Sequence, residues 1–313
     1  MLNLIVRRAG ISVPLLLIVS ALTFVLGSLV PGDAARAILG VSGSPEQYAA
    51  LRDELHLDEP VWDQYRRWLT GAVRGDLGDS VFSGEPVVQA LNARLPATLS
   101  LVAGTTLVCA LVGVAFGTVS AVRGGWIARS LDVLSVAGLA LPSFWLALVL
   151  VSIFSVWLGL LPATGYVHAG ESVSGWLRAL VLPVVALALA GITQVARQTR
   201  DAMLDVLGQD FIRTMEANGF SRRSIVLKHA LRNAAAPILT VLGVILVGAL
   251  SGTVFVENVF VLPGLGGLAV QATQQHDLPV IAGIAVYFTL ITIAVNLLVD
   301  LAYGWLNPKV RTA

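Results

Sequence analysis

Six long apolar stretches of this chain contain no Asp, Glu, Lys or Arg: Ala9 to Gly32, Ala97 to Val122, Val133 to Gly170, Ala179 to Ala196, Asn233 to Val256 and Leu278 to Val299. A helix needs about 20 apolar residues to cross a hydrocarbon core of about 30 Å. Each stretch is therefore read as one transmembrane helix. The third is too long for a single crossing, so its span is placed at Val133 to Leu158, with Leu161, Pro162, Gly165 and Tyr166 forming the exit turn. The expected fold is an all-α integral membrane protein of about six transmembrane helices.

Composition agrees: 56% of the 313 residues are hydrophobic and only 12% are charged, against about a quarter in soluble domains. The formal net charge of +1 is spread over several loops and makes no surface for nucleic acid. Cys109 is the single cysteine, which excludes an internal disulfide and a cysteine metal cluster. The first stretch exceeds the 7–15 residues of a signal core, and Pro31-Gly32-Asp33 is a poor cleavage site, so a retained helix is expected.

Basic residues set the direction of insertion. With Arg7 and Arg8 inside, 13 of the 20 basic residues fall on inner segments. The short outer loops after the third and fifth spans carry none before Arg178. Both termini are thus expected in the cytoplasm. The chain reads as one membrane domain, 1–313: a first helix (1–32), an extracytoplasmic segment (33–96), a five-helix core (97–303) and a cytoplasmic tail (304–313).

Two segments outside the apolar runs carry information. Asp33 to Pro96 holds ten acidic and six basic residues, with Leu51, Leu55, Leu57, Trp62, Tyr65, Trp68 and Leu69 interspersed. That spacing suits short amphipathic helices at the membrane surface. The inner segment Arg197 to Arg232 is far longer than the 2–8 residues that join antiparallel helices. In it, Gly219 suits a left-handed helix end and Ser221 suits a helix cap. Two short helices meeting at Gly219 are expected to project as a compact knob.

Several fragments, in order, carry a resemblance. They are Val30-Pro31-Gly32-Asp33, Gly75-Asp76-Leu77-Gly78, Arg94-Leu95-Pro96-Ala97-Thr98-Leu99, Pro142-Ser143-Phe144-Trp145 and Leu161-Pro162-Ala163-Thr164-Gly165-Tyr166. They continue with His229-Ala230-Leu231-Arg232-Asn233, Val261-Leu262-Pro263-Gly264-Leu265-Gly266 and Asn307-Pro308-Lys309-Val310-Arg311. Their order and spacing resemble the dipeptide/oligopeptide (nickel) permease family of ABC importers. The long segment after the first span is similar to the permease usually encoded first of the pair. Related proteins carry a small residue where Met215 stands and basic residues where Glu216 and Asn218 stand. Their tails read Asp-Pro-Arg in place of Asn307-Pro308-Lys309.

The resemblance implies a type I importer permease in the bacterial cytoplasmic membrane, in contact with lipid. It implies as partners a second, similar permease, two ATP-binding-cassette ATPases, an extracytoplasmic binding protein and a peptide substrate. Coupling to the ATPases is expected through Arg213, Thr214, Met215, Glu216, Ala217, Asn218, Gly219, Phe220, Ser221, His229 and Arg232. The candidates for an outer gate or binding-protein contact are Glu257, Pro263, Gly264 and Gly266. Asn296 is a candidate pathway or helix-packing residue.

The residues themselves show no catalytic set. There is no P-loop sequence, so no cofactor is expected in this chain; ATP and Mg belong to the ATPases. No paired intramembrane acids or histidines offer a proton relay. Pro142, Pro183 and Pro237 are candidate hinges. Two alternatives stay open. One is a nickel or metal-chelate permease on the same scaffold, although Met1, Met203, Met215 and Cys109 form no ligand set within the spans. The other is a secondary transporter or membrane-embedded enzyme.

The charge asymmetry has a direct test. In a Cys109-free background, single cysteines at positions 45 and 70 should label from outside intact cells, and those at 220 and 311 only after permeabilisation. External labelling at 220 would reverse the orientation.

Overall fold

The computed structural model describes residues 2–30, 32–40 and 43–306. Pro31 and the tail from Asn307 onward, both used above, lie outside the described residues. Among the described residues the chain is helical, and the one β feature is an isolated antiparallel bridge between Asp79 and Pro86.

Among the described residues, five helices are long and apolar enough to cross a membrane. They are α1 (Leu2–Leu29), α5 (Val87–Val108) continued by α6 (Val114–Arg123), α9 (Val173–Leu207), α12 (Leu231–Phe260) and α14 (Leu278–Leu306). The π-helical turn Cys109–Gly113 joins α5 to α6 without a break. α12 is likewise entered from α11 (Arg222–Ser224) through a π-helical turn, Ile225–Ala230, so that Arg222–Phe260 is one helical run.

The third expected span, Val133 to Leu158, is not one helix. α7 (Gly125–Ala140) stops at Leu141, and α8 (Ser143–Leu150) starts after Pro142 and continues through a π-helical turn, Val151–Trp157. Proline lacks the N–H of a helical bond and disfavours α geometry in the residue before it. Pro183 and Pro237 lie inside uninterrupted α9 and α12. Of the three candidate hinges, only Pro142 breaks its helix.

Other boundaries move as well. α5 begins at Val87, not Ala97, and carries Arg94 and Pro96 within it. The segment before it contains α2 (Ala34–Leu39), α3 (Pro45–Glu54) and α4 (Val61–Ala72). Asp33 caps α2 by accepting from the Arg36 N–H at 2.8 Å. Ser44 and Gln47 form a reciprocal capping box on α3, with Pro45 at its first position. Arg52 donates to Asp58 at 2.6 Å and also to Asp33; these bonds, Asp58 first, hold its guanidinium above its usual pKa.

The chain forms two compact units: Leu99–Leu262 with the stretch from Val295, and Leu2–Thr98 with Pro263–Ala294. In the first, α9 packs against α6, α7, α8 and α12. Its buried Val195, Ala202, Met203 and Val206 join Ala230, Ala234 and Ile238 in one core. A second cluster gathers Leu101, Leu180, Val184, Val256 and Phe260.

In the second unit, Tyr65 and Trp68 of α4 meet Phe24 of α1 at ring separations of 5.4 Å. The Ser20 and Tyr65 hydroxyls lie 3.1 Å apart. The amphipathic pattern of α4 is thus satisfied by α1, while Trp62 stays exposed. A further cluster joins Leu77, Val87 and Leu91 to Leu265 and Leu268 of α13 (Leu265–Gln274) and to Val280 and Ile284 of α14.

Buried Asp277 anchors this unit. It accepts from the Ser80 hydroxyl (2.5 Å), from the Val81 and Phe82 N–H groups (3.3 and 3.4 Å), and from the Val280 N–H at the start of α14 (3.5 Å). Removing a buried acceptor leaves its donors unsatisfied, at about 1–3 kcal/mol each. Asp277→Ala should lower the apparent Tm of the detergent-purified protein and expose residues 80–86 to protease, with Asp277→Asn intermediate. Wild-type melting and protection in Asp277→Ala would show that the carboxylate is dispensable.

Candidate functional site

The segment between the fourth and fifth spans is mostly helix, not loop. α9 runs eleven residues past Ala196 because its apolar spacing persists: Thr199, Ala202, Met203 and Val206 remain buried while Arg197, Asp201 and Asp205 face out. A short helix, α10 (Asp210–Ala217), follows. After Ser221 the chain enters the continuous run Arg222–Phe260. The expected pair of short helices at Gly219 is thus one short helix and the start of a long one.

The turn between them has a defined chemistry. The Gly219 N–H donates to the Glu216 carbonyl at 3.0 Å and the Phe220 N–H to the Met215 carbonyl at 3.1 Å. Together with φ of +77° at Gly219, these bonds form a Schellman closure of α10. A Cβ built at Gly219 meets nothing within 4 Å. The glycine is therefore required by backbone angle rather than by space. Ser221 starts the next helix by accepting from the Ser224 N–H at 3.3 Å.

Side chains divide by role. Ile212 is buried and fastens α10 to the body of the unit, a position the sequence reading did not single out. No local signal marks it out, since Phe211 and Met215 on the same helix are also apolar and stay exposed or half-buried. Arg213, Thr214, Glu216, Ala217 and Asn218 are exposed, and Met215 is half-buried. Arg213 lies 3.7 Å from Asp210, a solvent-exposed pair of little energetic weight. The exposed Phe220 ring stands edge-on to His229 at a centroid distance of 6.0 Å. The Asn233 amide donates to the His229 carbonyl at 2.8 Å, and Arg232 is exposed one residue before it. The structure thus gathers most of the predicted segment into one exposed knob with an aromatic cap.

The other candidates fare differently. Glu257 is buried in α12, and Gly264 and Gly266 are buried at the start of α13. Of the four outer-gate candidates, only Pro263 is exposed. The Leu265 N–H donates to the buried Thr98 hydroxyl at 2.8 Å, which joins two of the motif fragments. Gly165 donates to the Phe260 carbonyl at 3.0 Å, which ties the Leu161 to Tyr166 fragment to the end of α12. There, Val261 adopts a left-handed conformation at φ +53°. That geometry costs a β-branched residue roughly 1–2 kcal/mol. Asn296 is exposed on α14 and makes no hydrogen bond among the described residues.

Comparison with known proteins agrees with this architecture. Residues 113–312 match the family model described as binding-protein-dependent transport system inner membrane component. Residues 1–102 match the corresponding N-terminal model. A putative peptide transport system permease protein of Brucella abortus is 43% identical over 312 residues, 99% of each chain. The dipeptide transport system permease protein DppB of Escherichia coli is 35% identical over 336 residues, again 99% of each. A solved structure of inward-facing conformations of the MetNI methionine ABC transporter superposes with a TM-score of 0.57 at 16% identity. It covers 70% of this chain and 97% of that one, and so supports the fold. With both family models and full-length relatives in agreement, the chain belongs to the binding-protein-dependent transport system inner membrane components, a family of multi-pass transport permeases.

Proposed function

We propose that this chain is one of two permease subunits in a bacterial importer for dipeptides and oligopeptides. The observation that carries the reading is end-to-end identity of 35–43% with proteins named as peptide and dipeptide permeases. A separate binding protein delivers the peptide at the extracytoplasmic face, where Pro263 offers an exposed contact. ATP is bound and hydrolysed by two partner ATPases, and a second, similar permease supplies the other half of the path. Both termini lie in the cytoplasm.

In this reading the knob from Asp210 to Ser221 docks in a groove on an ATPase. Its chemistry suits such a role. The Schellman closure fixes its shape without help from a partner, and Phe220 presents apolar surface that an ATPase groove can cover. Glu216 and Asn218 replace the basic residues of related proteins, so the matching groove carries a complementary, more basic edge.

Deletion of the gene should abolish uptake of labelled dialanine and trialanine while leaving free alanine uptake unchanged. Normal peptide uptake with lost nickel uptake would transfer the assignment to metal chelates. Gly219→Val should accumulate in the membrane at normal levels, because its Cβ meets open space, yet the left-handed backbone is penalised by about 1–2 kcal/mol. The knob then turns at the wrong angle, and transport should fall at least tenfold while ATP hydrolysis no longer responds to loaded binding protein. Full transport by Gly219→Val would remove the knob from the coupling path.

A further inference from the structure

The Leu99–Leu262 unit holds a cavity of about 380 Å³ with walls from α5, α7, α8, α9 and α12. Its volume falls within the range of about 300–1,000 Å³ found for small-ligand sites. No charged side chain and no histidine lines it. The walls are mainly small or aliphatic, with Gly191, Gly248 and Gly252 among them.

Gln194 and the break between α7 and α8 both border this space. Gln194 is exposed on α9, lines the cavity, and has no hydrogen-bond partner among the described residues. A carboxamide on an apolar span is costly against lipid and belongs where it meets a water-filled path or another polar group. The second feature is the break between α7 and α8. Pro142 has no N–H, so the carbonyl of Gly138, four residues before it, receives no helical hydrogen bond from that position. Gly138 and Ser143, on either side of the break, both line the same cavity. Non-helical backbone at membrane depth is tolerated where it borders such a space or is buried in protein.

We infer that this cavity is the part of the substrate path that holds a peptide by its main chain, with Gln194 as the specificity-determining side chain. The inference rests on the peptide-importer reading above. The Gln194 amide oxygen accepts from a peptide N–H while its NH2 donates to a peptide carbonyl. Contacts of this kind read the amide bond and ignore the side chains, which meet only small uncharged walls.

The test compares dialanine with alanyl-lactate, in which an ester oxygen replaces the amide N–H. The complete transporter, with its binding protein at saturating concentration, is reconstituted in proteoliposomes. The same binding protein serves every variant, so a change in the ratio of the two fluxes belongs to the permease. Wild type should favour dialanine, and Gln194→Leu should lower dialanine flux about tenfold, the scale of one or two lost hydrogen bonds, and bring the two substrates level. Gln194→Asn, which keeps the amide, should retain part of the discrimination. An unchanged ratio in Gln194→Leu overturns the inference, whether flux stays at the wild-type level or falls with a reduced yield of assembled complex. The latter result would assign Gln194 to contact between subunits. Import of neither compound by wild type would instead overturn the peptide reading, and the inference with it.

Discussion

A chain immersed in hydrocarbon has no water to hydrogen-bond with, so every backbone N–H and C=O must find its partner inside the protein. Helices meet that demand along their length and fail it at their ends and interruptions. The informative chemistry of this protein sits at those places. Ser221 begins a helix, Gly219 closes one, Asp277 receives the first turn of α14, and the Thr98 hydroxyl takes the Leu265 N–H at the start of α13. Each is a local answer to the same requirement, and the Thr98–Leu265 bond joins two of the motif fragments.

These answers also tie distant parts of the chain together. Ser80 and Asp277 are far apart in sequence, as are Thr98 and Leu265, yet in each pair both groups are buried and hydrogen-bonded to one another. A buried polar pair of this kind adds little net stability, but it is costly to break and so selects one register over its neighbours. The apolar clusters around it tolerate sliding far better. Register in this fold is thus set by a handful of polar junctions and bulk cohesion by the leucine and valine that surround them.

The spans were legible because lack of charge over about 20 residues has one physical solution. The turn at Gly219 and the cap at Ser221 were legible because both depend on a single residue type. Helix ends beyond the apolar runs were not. A charged residue changes which solvent a helix can stand in but does not stop the helix, so α9 passes Arg197 and Arg200 while its buried face continues through Met203 and Val206. The run at Arg222 and the early start of α5 at Val87 follow the same logic. The break at Pro142 was foreshadowed by its proline, but Pro183 and Pro237 carry the same signal without a break. Packing decided among the three. The role of Asp277 and the burial of Glu257 had no local signal, since both depend on what the fold brings alongside.

The run Arg222–Phe260 has 39 residues in one helical rod. At 1.5 Å per residue it is about 58 Å long, close to twice a hydrocarbon core of about 30 Å. It starts beside the Gly219 turn and ends at the strained Val261. A continuous helical run of that length turns a small tilt into a large displacement at its ends. Tilting it by about 10° around its middle carries each tip about 5 Å in opposite directions, the rise of nearly one helical turn. In the coupling proposed above, a nudge at the knob carried by a rigid tilt of this rod is returned at the far tip with its sign reversed.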